Sequence, residues 1–244
     1  MKIEVEPSRF KEFLSSILIY RNKPLLSQVP VEFKSKGVMV KDMSLEAVAV
    51  VGMFSPKYFI SYEAKDETIP LTESILDVVK KAFKGEKITV KTEDNNIVIE
   101  GESYFYKEPI KALEPQEFKA EVKMTEFGIL PTKPQFKVQV KLPVSELSLP
   151  SAEKYTLISD GKNLTISIEE VGILTKVLKV SQTKKLEPVT THVFANYLQN
   201  MVNNLSGEIW LSFDENVIAL SKKGKEYALT YLLATVEIVE EEGE

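Results

Sequence analysis

Few side chains in this sequence are spaced for bond-making chemistry. The single histidine, His192, follows Thr190 and Thr191 at the start of a candidate helix and reads as a capping or surface residue, not a general base. Cysteine is absent, which excludes a disulfide framework, a thiolate nucleophile and a zinc finger. The carboxylates Asp42, Glu46, Asp66 and Glu67 are scattered through turns, and Asp94, Asp160 and Asp214 sit where Asx side chains shape turns. A carboxylate-based metal hydrolase needs three or more such groups converging in one pocket, and no cluster can be nominated. The 10 glycines include none at the spacing of a phosphate loop. The chain therefore reads as a non-enzyme, with no catalytic residue, no metal site and no cofactor.

Binding chemistry is better represented. Lys80, Lys81 and Lys84 lie together on the polar face of one candidate helix, and Arg9 and Lys11 lie on another. Such groups contact phosphates without reading sequence. An ordinary solvated helix face carries the same pattern. The net charge of -5 does not decide between the two, because an acidic exterior can coexist with a basic channel. The matching helix of the second half offers Asn196, Gln199, Asn200, Asn203 and Asn204, with neither lysine nor arginine. Amides reach phosphates directly or through water, without Coulomb attraction.

The elements that position these residues follow from hydrophobic period and turn chemistry. A short strand opens the chain, and a helix is expected over Ser8–Tyr20, capped by Ser8, with Glu12 near the capping-box position. Phe10, Phe13, Leu14 and Ile17 form its apolar face. Strands are expected over Val31–Lys36, Val38–Asp42, Ala47–Phe54 and Tyr58–Ser61. A second helix is expected over Thr72–Lys84, ended by Gly85, with Ile75, Leu76, Val79, Ala82 and Phe83 inward. Lys87–Thr92, Ile97–Glu100 and Tyr104–Ala112 follow as strands, the first two hinged on Asp94-Asn95-Asn96. The second half repeats the scheme. Its strands are Phe136–Leu142, Tyr155–Ser159, Leu164–Glu169, Ile173–Val180, Glu208–Phe213, Val217–Ser221 and Tyr227–Val236. Its helices are Thr191–Leu205 and a short or broken one over Pro143–Lys154, interrupted by Pro150. This is a duplication, with lobes at 1–113 and 135–244. The segment 114–134 joins them, with Pro115, Pro131 and Pro134 and mixed charge.

Two lobes of this size are long enough for real cores. No apolar run approaches the roughly 20 residues of a membrane span, and the N-terminus does not read as a signal peptide. An intracellular protein is expected, cytoplasmic in a prokaryote or archaeon and nuclear in a eukaryote, with no membrane partner. The acidic end, Glu240–Glu244, is expected to be disordered and solvated.

Several segments resemble the DNA sliding-clamp family, the PCNA type of archaea and eukaryotes. Thr191-His192-Val193-Phe194-Ala195-Asn196-Tyr197-Leu198 through Leu205, then Trp210–Phe213, resemble that family's last helix and following strand. Tyr231-Leu232-Leu233-Ala234-Thr235-Val236-Glu237 resembles its closing strand, with Thr235 where the family usually has proline. Ser35-Lys36-Gly37-Val38 and Val40–Ser44 resemble its early hairpin and following loop. Leu178–Thr183 resembles the edge strand that meets the next subunit.

The resemblance implies an α+β DNA-clamp fold. It has two similar lobes, each with antiparallel sheets outside and two helices lining the inner face, and it forms a ring of three subunits. Arg9, Lys11, Lys80, Lys81, Lys84, Asn196, Gln199, Asn200 and Asn203 would then face double-stranded DNA. A groove for short peptides of DNA polymerase, clamp loader and other motif-bearing partners would involve Met43, Ala47, Val50, Phe127, Ile129, Leu130, Val217, Leu233 and Thr235. The patch Phe127–Leu130 could equally pin the connector to the body. Tyr106 and Ile110 would meet Leu174, Val177 and Leu178 of a neighbouring subunit by edge-strand pairing, despite Pro109. The implied function is a processivity clamp. The uncharged second-half helix also admits a mixed ring, or a clamp-fold adaptor or decoy that does not encircle DNA.

Overall fold

The computed structural model describes all residues except 22, 46–47, 113–117, 119, 134, 170–171 and 237–244. Ala47, the expected lobe boundary at 113–114, much of the connector's first part and the acidic end thus lie outside the described residues. The chain divides into two compact units. One comprises Met1–Leu45, Ala49–Lys119 and Lys223–Leu229; the other comprises Glu46–Val48, Ala120–Lys222 and Thr230–Glu244. Among the described residues, no helix is long and apolar enough to cross a membrane.

The first unit runs β1 (Lys2–Val5), α1 (Pro7–Ile17), β2 (Gln28–Lys34), β3 (Gly37–Met43), β4 (Val48–Phe54), β5 (Ser61–Glu63), β6 (Glu67–Thr72), α2 (Glu73–Ala82), β7 (Ile88–Glu93), β8 (Asn96–Glu100) and β9 (Phe105–Pro109). Five strands pair in the order β5-β1-β7-β8-β9, and four in the order β4-β3-β2-β6. All of these pairings are antiparallel. Alternation drives burial: Val29, Val31 and Phe33 of β2 point inward while their neighbours do not. The β2–β3 turn needs glycine, because Gly37 has φ 130° and a Cβ there would lie 2.3 Å from the Phe54 carbonyl oxygen. Asp94 and Asn95 take positive φ at the β7–β8 hairpin, as a tight mirror-image turn requires.

The second unit begins with the hairpin β10 (Val122–Met124) and β11 (Ile129–Pro131). It continues with β12 (Val138–Pro143), β13 (Lys154–Ser159), β14 (Leu164–Glu169), β15 (Ile173–Val177), β16 (Gln182–Leu186), β17 (Val189–Phe194), α3 (Ala195–Asn203), β18 (Glu208–Phe213), β19 (Val217–Lys223) and β20 (Tyr227–Ala234), whose first residues, up to Leu229, are counted with the first unit. Its strand orders are β16-β12-β18-β19-β20 and β15-β14-β13-β17. These repeat the first unit: β1, β5, β7, β8 and β9 correspond to β12, β16, β18, β19 and β20. Likewise β2, β3, β4 and β6 correspond to β13, β14, β15 and β17. Identical pairing order in both units is the mark of a duplicated fold.

The units differ in their helices. Where α1 stands in the first, the second has only a 3-10 turn at Val144–Leu147, and α3 is its one α-helix among the described residues. Two helices per lobe is therefore corrected for the second unit, where Pro150, just after the turn, lacks the N–H that a longer helix would need. Several boundaries also shift. Helix α1 starts at Pro7, whose missing N–H is harmless at that position, so Ser8 lies inside the helix and no side chain caps it. Residues Val189–Phe194 form a strand, so α3 begins only at Ala195. Pro56–Tyr58 is a 3-10 turn, and the strand follows at Ser61. β15 stops at Val177, and β16 is a separate strand.

Candidate functional site

In the first unit, α1 and α2 pack together and each buries one apolar face: Phe10, Phe13, Leu14 and Ile17 on α1, and Ile75, Leu76 and Val79 on α2. The Ile75 N–H donates to Thr72 Oγ1 at 3.5 Å, capping α2. Glu108 of β9 accepts from Thr72 at 3.1 Å and Ser74 at 3.0 Å, so a carboxylate sits at the positive end of that helix. Lys80 and Lys81 occupy the last turn, where cations suit the dipole.

The five cations of this helix pair are not equally available. Arg9 is ion-paired with Glu226 and lies over the Tyr58 ring at 4.2 Å. Lys81 pairs with Asp77 at 3.4 Å, one turn away. Lys80 Nζ sits 3.2 Å from the centroid of Tyr20. Partial burial holds the Lys80 ammonium pKa below its ordinary value; the Lys11 charge adds to this, and Asp77 and Glu73 oppose it. Lys11 and Lys84 are exposed and have no ion-pair partner among the described residues. A phosphate would meet these two first.

The second unit offers no such face. On α3, Asn196 and Asn203 are exposed, while Gln199 and Asn200 are half-buried. Gln199 Nε2 donates to the Leu147 carbonyl at 2.8 Å, tying α3 to the 3-10 turn, and Asn203 donates back to the Gln199 carbonyl. The helix surface is uncharged, and the turn beside it carries Glu146, held by Lys176 at 3.3 Å.

The connector's apolar patch is buried within its own unit. Phe127, Ile129 and Leu130 are all under one-tenth exposed, and Phe127 meets Trp210 edge-on at 4.6 Å. Gly128 (φ 133°) brings the backbone close to the sheet: a Cβ there would stand 3.1 Å from Ser221 Cβ. These side chains pin the hairpin β10–β11 to the second unit. Of the other expected groove residues, Val50 and Leu233 are buried, whereas Met43, Val217 and Thr235 are half-buried. Thr235 Oγ1 donates to the Glu215 carbonyl. In the first unit, Leu45, two residues after Met43, is 92% exposed. An apolar residue in a turn was the signal that could have singled it out.

Both expected interface strands are edges of their sheets. On β9 the exposed groups are Phe105, Lys107 and Pro109, preceded by an exposed Tyr104. Tyr106 is half-buried and donates to Glu108 at 2.6 Å inside its own unit, and Ile110 is half-buried as well. On β15, Ile173, Leu174 and Val177 are exposed, at 77%, 53% and 62%. Leu178 is buried at 4%, so it belongs to the core and not to the edge. Tyr104, Phe105 and Ile173 are the apolar edge residues that sequence reasoning did not name. Among the described residues, no group of three or more His, Asp or Glu could hold a metal ion.

Comparison with known proteins places the fold. No family model and no curated protein matches the sequence. Solved structures do match over nearly the whole chain. The PCNA2–PCNA3 complex of Sulfolobus tokodaii matches at TM-score 0.74 and 14% identity, covering 96% of this chain and 99% of that one. A. fulgidus PCNA, bound to the C-terminal region of FEN-1, matches at 0.77 and 14%, covering 98% and 99%. PCNA from Thermococcus kodakaraensis matches at 0.77 and 14%, covering 96% and 99%. The chain has the two-lobed PCNA clamp fold, with a sequence far diverged from these neighbours.

Proposed function

We propose that the chain is a subunit of a DNA sliding clamp, with lobes at 1–113 and 135–244 joined by the connector 114–134. Three copies close head to tail around duplex DNA and tether polymerases and other enzymes there, without chemistry of their own. The observation that carries this reading is the pair of strands that end their sheets among the described residues and expose apolar side chains: β9 with Tyr104 and Phe105, and β15 with Ile173, Leu174 and Val177. Exposed apolar edges are a liability in a monomer and a template for pairing between subunits. The assembled S. tokodaii neighbour and the FEN-1 segment on A. fulgidus PCNA support self-association and peptide partners of the same kind. Lys11, Lys80 and Lys84 supply weak, sequence-independent phosphate contacts, which a sliding ring needs. Linkage then replaces affinity, because a tethered enzyme gains effective concentration.

A second reading, an adaptor that takes clamp-binding peptides without encircling DNA, is favoured by the uncharged α3 surface and the neutralised Arg9. Light scattering separates the two. The clamp reading expects a closed assembly of about three chains that becomes a monomer when Ile173 and Val177 are both changed to Asp. A monomer at every concentration overturns the homotrimeric ring.

A further inference from the structure

The second unit contains a cavity of about 320 Å³ between the connector hairpin and the end of the β12–β16 pair. Its floor is apolar, formed by Phe127, Leu130 and Phe136, all buried. Its rim holds Lys123 and Lys185 with Gln139, and no carboxylate lines it. Lys185 donates to the Phe136 carbonyl at 2.9 Å and meets Glu187 at 3.2 Å, which leaves one donor uncommitted. Lys123 is exposed and has no ion-pair partner among the described residues. The volume is at the small end for a ligand site and suits one large side chain.

Beside the cavity, β16 ends its sheet, so one side of its backbone faces no further strand among the described residues. Its sequence, Gln182-Thr183-Lys184-Lys185-Leu186, and the register shift against β12 between Gln139 and Val140 are devices that discourage indiscriminate pairing. They discourage it selectively. Lys184 is already paired with Glu126 at 3.2 Å, so a cationic or neutral strand gains little here, whereas an acidic one gains Coulomb attraction from Lys123 and the uncommitted donor of Lys185.

We propose that this cavity docks an extended acidic segment of a partner protein, with one apolar side chain on the floor and flanking carboxylates at Lys123 and Lys185. The site requires neither ring closure nor DNA, so it stands or falls separately from the clamp reading. It overlaps the expected peptide groove at Phe127 and Leu130 and differs from it in Phe136, Gln139, Lys123 and Lys185, which are not groove residues.

The protein carries its own reporter. Trp210 is the only tryptophan and its ring touches Phe127, so filling the cavity changes its emission. The probe is an acetylated, amidated heptapeptide, Glu-Asp-Val-Phe-Val-Asp-Glu, titrated into the full chain with fluorescence and calorimetry. Saturable binding is expected. Lys123→Glu with Lys185→Glu weakens it about tenfold, as two reversed rim charges would. Lys123→Glu alone gives a smaller loss and leaves the Lys185–Phe136 contact intact, so it reads binding even if the double variant fails to fold. Lys80→Glu with Lys81→Glu leaves affinity unchanged. The proposal is overturned by absence of saturable binding, or by equal loss in the Lys80 and Lys81 control. It is also overturned if the probe with serine in place of phenylalanine, or N-acetylphenylalanine alone, binds as tightly as the probe.

Discussion

Asp42 is a carboxylate in a place that does not suit one. The β3 alternation that turns Val38 and Val40 inward also turns Asp42 inward, leaving it 6% exposed. Burial pushes its pKa up to about 6, opposed by a hydrogen bond from the Met43 backbone N–H. An unfolded Asp titrates near 3.9, so the shift is about two units, worth at most about 3 kcal/mol. The sign follows from proton binding. Between about pH 4 and 6 the folded chain holds this proton and the unfolded chain does not, so stability falls as pH rises through that window. Below it both states are protonated and the penalty vanishes; above pH 6 it is complete. Asp42→Asn keeps the shape and an acceptor but cannot ionise. Urea denaturation across pH 4 to 8 should show the variant and the parent matched at pH 4. The variant should then gain through the window, by at most about 3 kcal/mol at pH 8. A difference that stays constant with pH, or a variant less stable at pH 8, refutes the reasoning.

The connector and the helix pair yield two more expectations. Gly128→Ala combines a left-handed φ with a Cβ driven to 3.1 Å from Ser221 Cβ, and should remove about 2 kcal/mol, read as a lower melting temperature; an unchanged melting temperature would mean the connector is not seated there. Lys11→Glu with Lys84→Glu should reduce stimulation of a polymerase on primed circular DNA more than Arg9→Ala does, because Arg9 is already paired with Glu226; equal effects would remove α1 and α2 from the DNA-facing role.

Much of this architecture was legible because period and punctuation agreed. Helix α2 shows a 3.6-residue apolar face ahead of Gly85, and the structure has it over Glu73–Ala82. The misreadings have physical causes. Val193, Phe194, Tyr197 and Leu198 fit a helical face, yet Val189, Thr191 and Val193 also alternate, and the β-branched run won as a strand. β16 was invisible because an exposed edge of glutamine, threonine and lysines has no apolar alternation to read. At the site, composition identified Phe127–Leu130 as an apolar patch. Whether it faces a partner or the body depends on tertiary packing, and the structure turns it toward Trp210 and Ser221. Position alone puts Tyr106 and Leu178 on an edge, while the side chains left exposed there are their neighbours Phe105 and Val177.

The two units share a strand order but not a helix complement, and that asymmetry ranks the parts of the proposed function. The first unit presents Lys11, Lys80 and Lys84; the second presents amides and, on its 3-10 turn, Glu146. Exposed charges are screened beyond roughly 10 Å at 0.1 M salt, so cationic patches confined to one unit act locally and not as a continuous field. A protein that held DNA by affinity alone would be poorly served by such a surface. A closed ring is not, because enclosure keeps the duplex in place whether or not any one contact persists. What enclosure cannot survive is failure of the seams, whose ladder bonds and apolar area, in the proposed ring, would come from β9 and β15. The clamp reading therefore rests more heavily on Phe105, Ile173 and Val177 than on the lysines of α1 and α2.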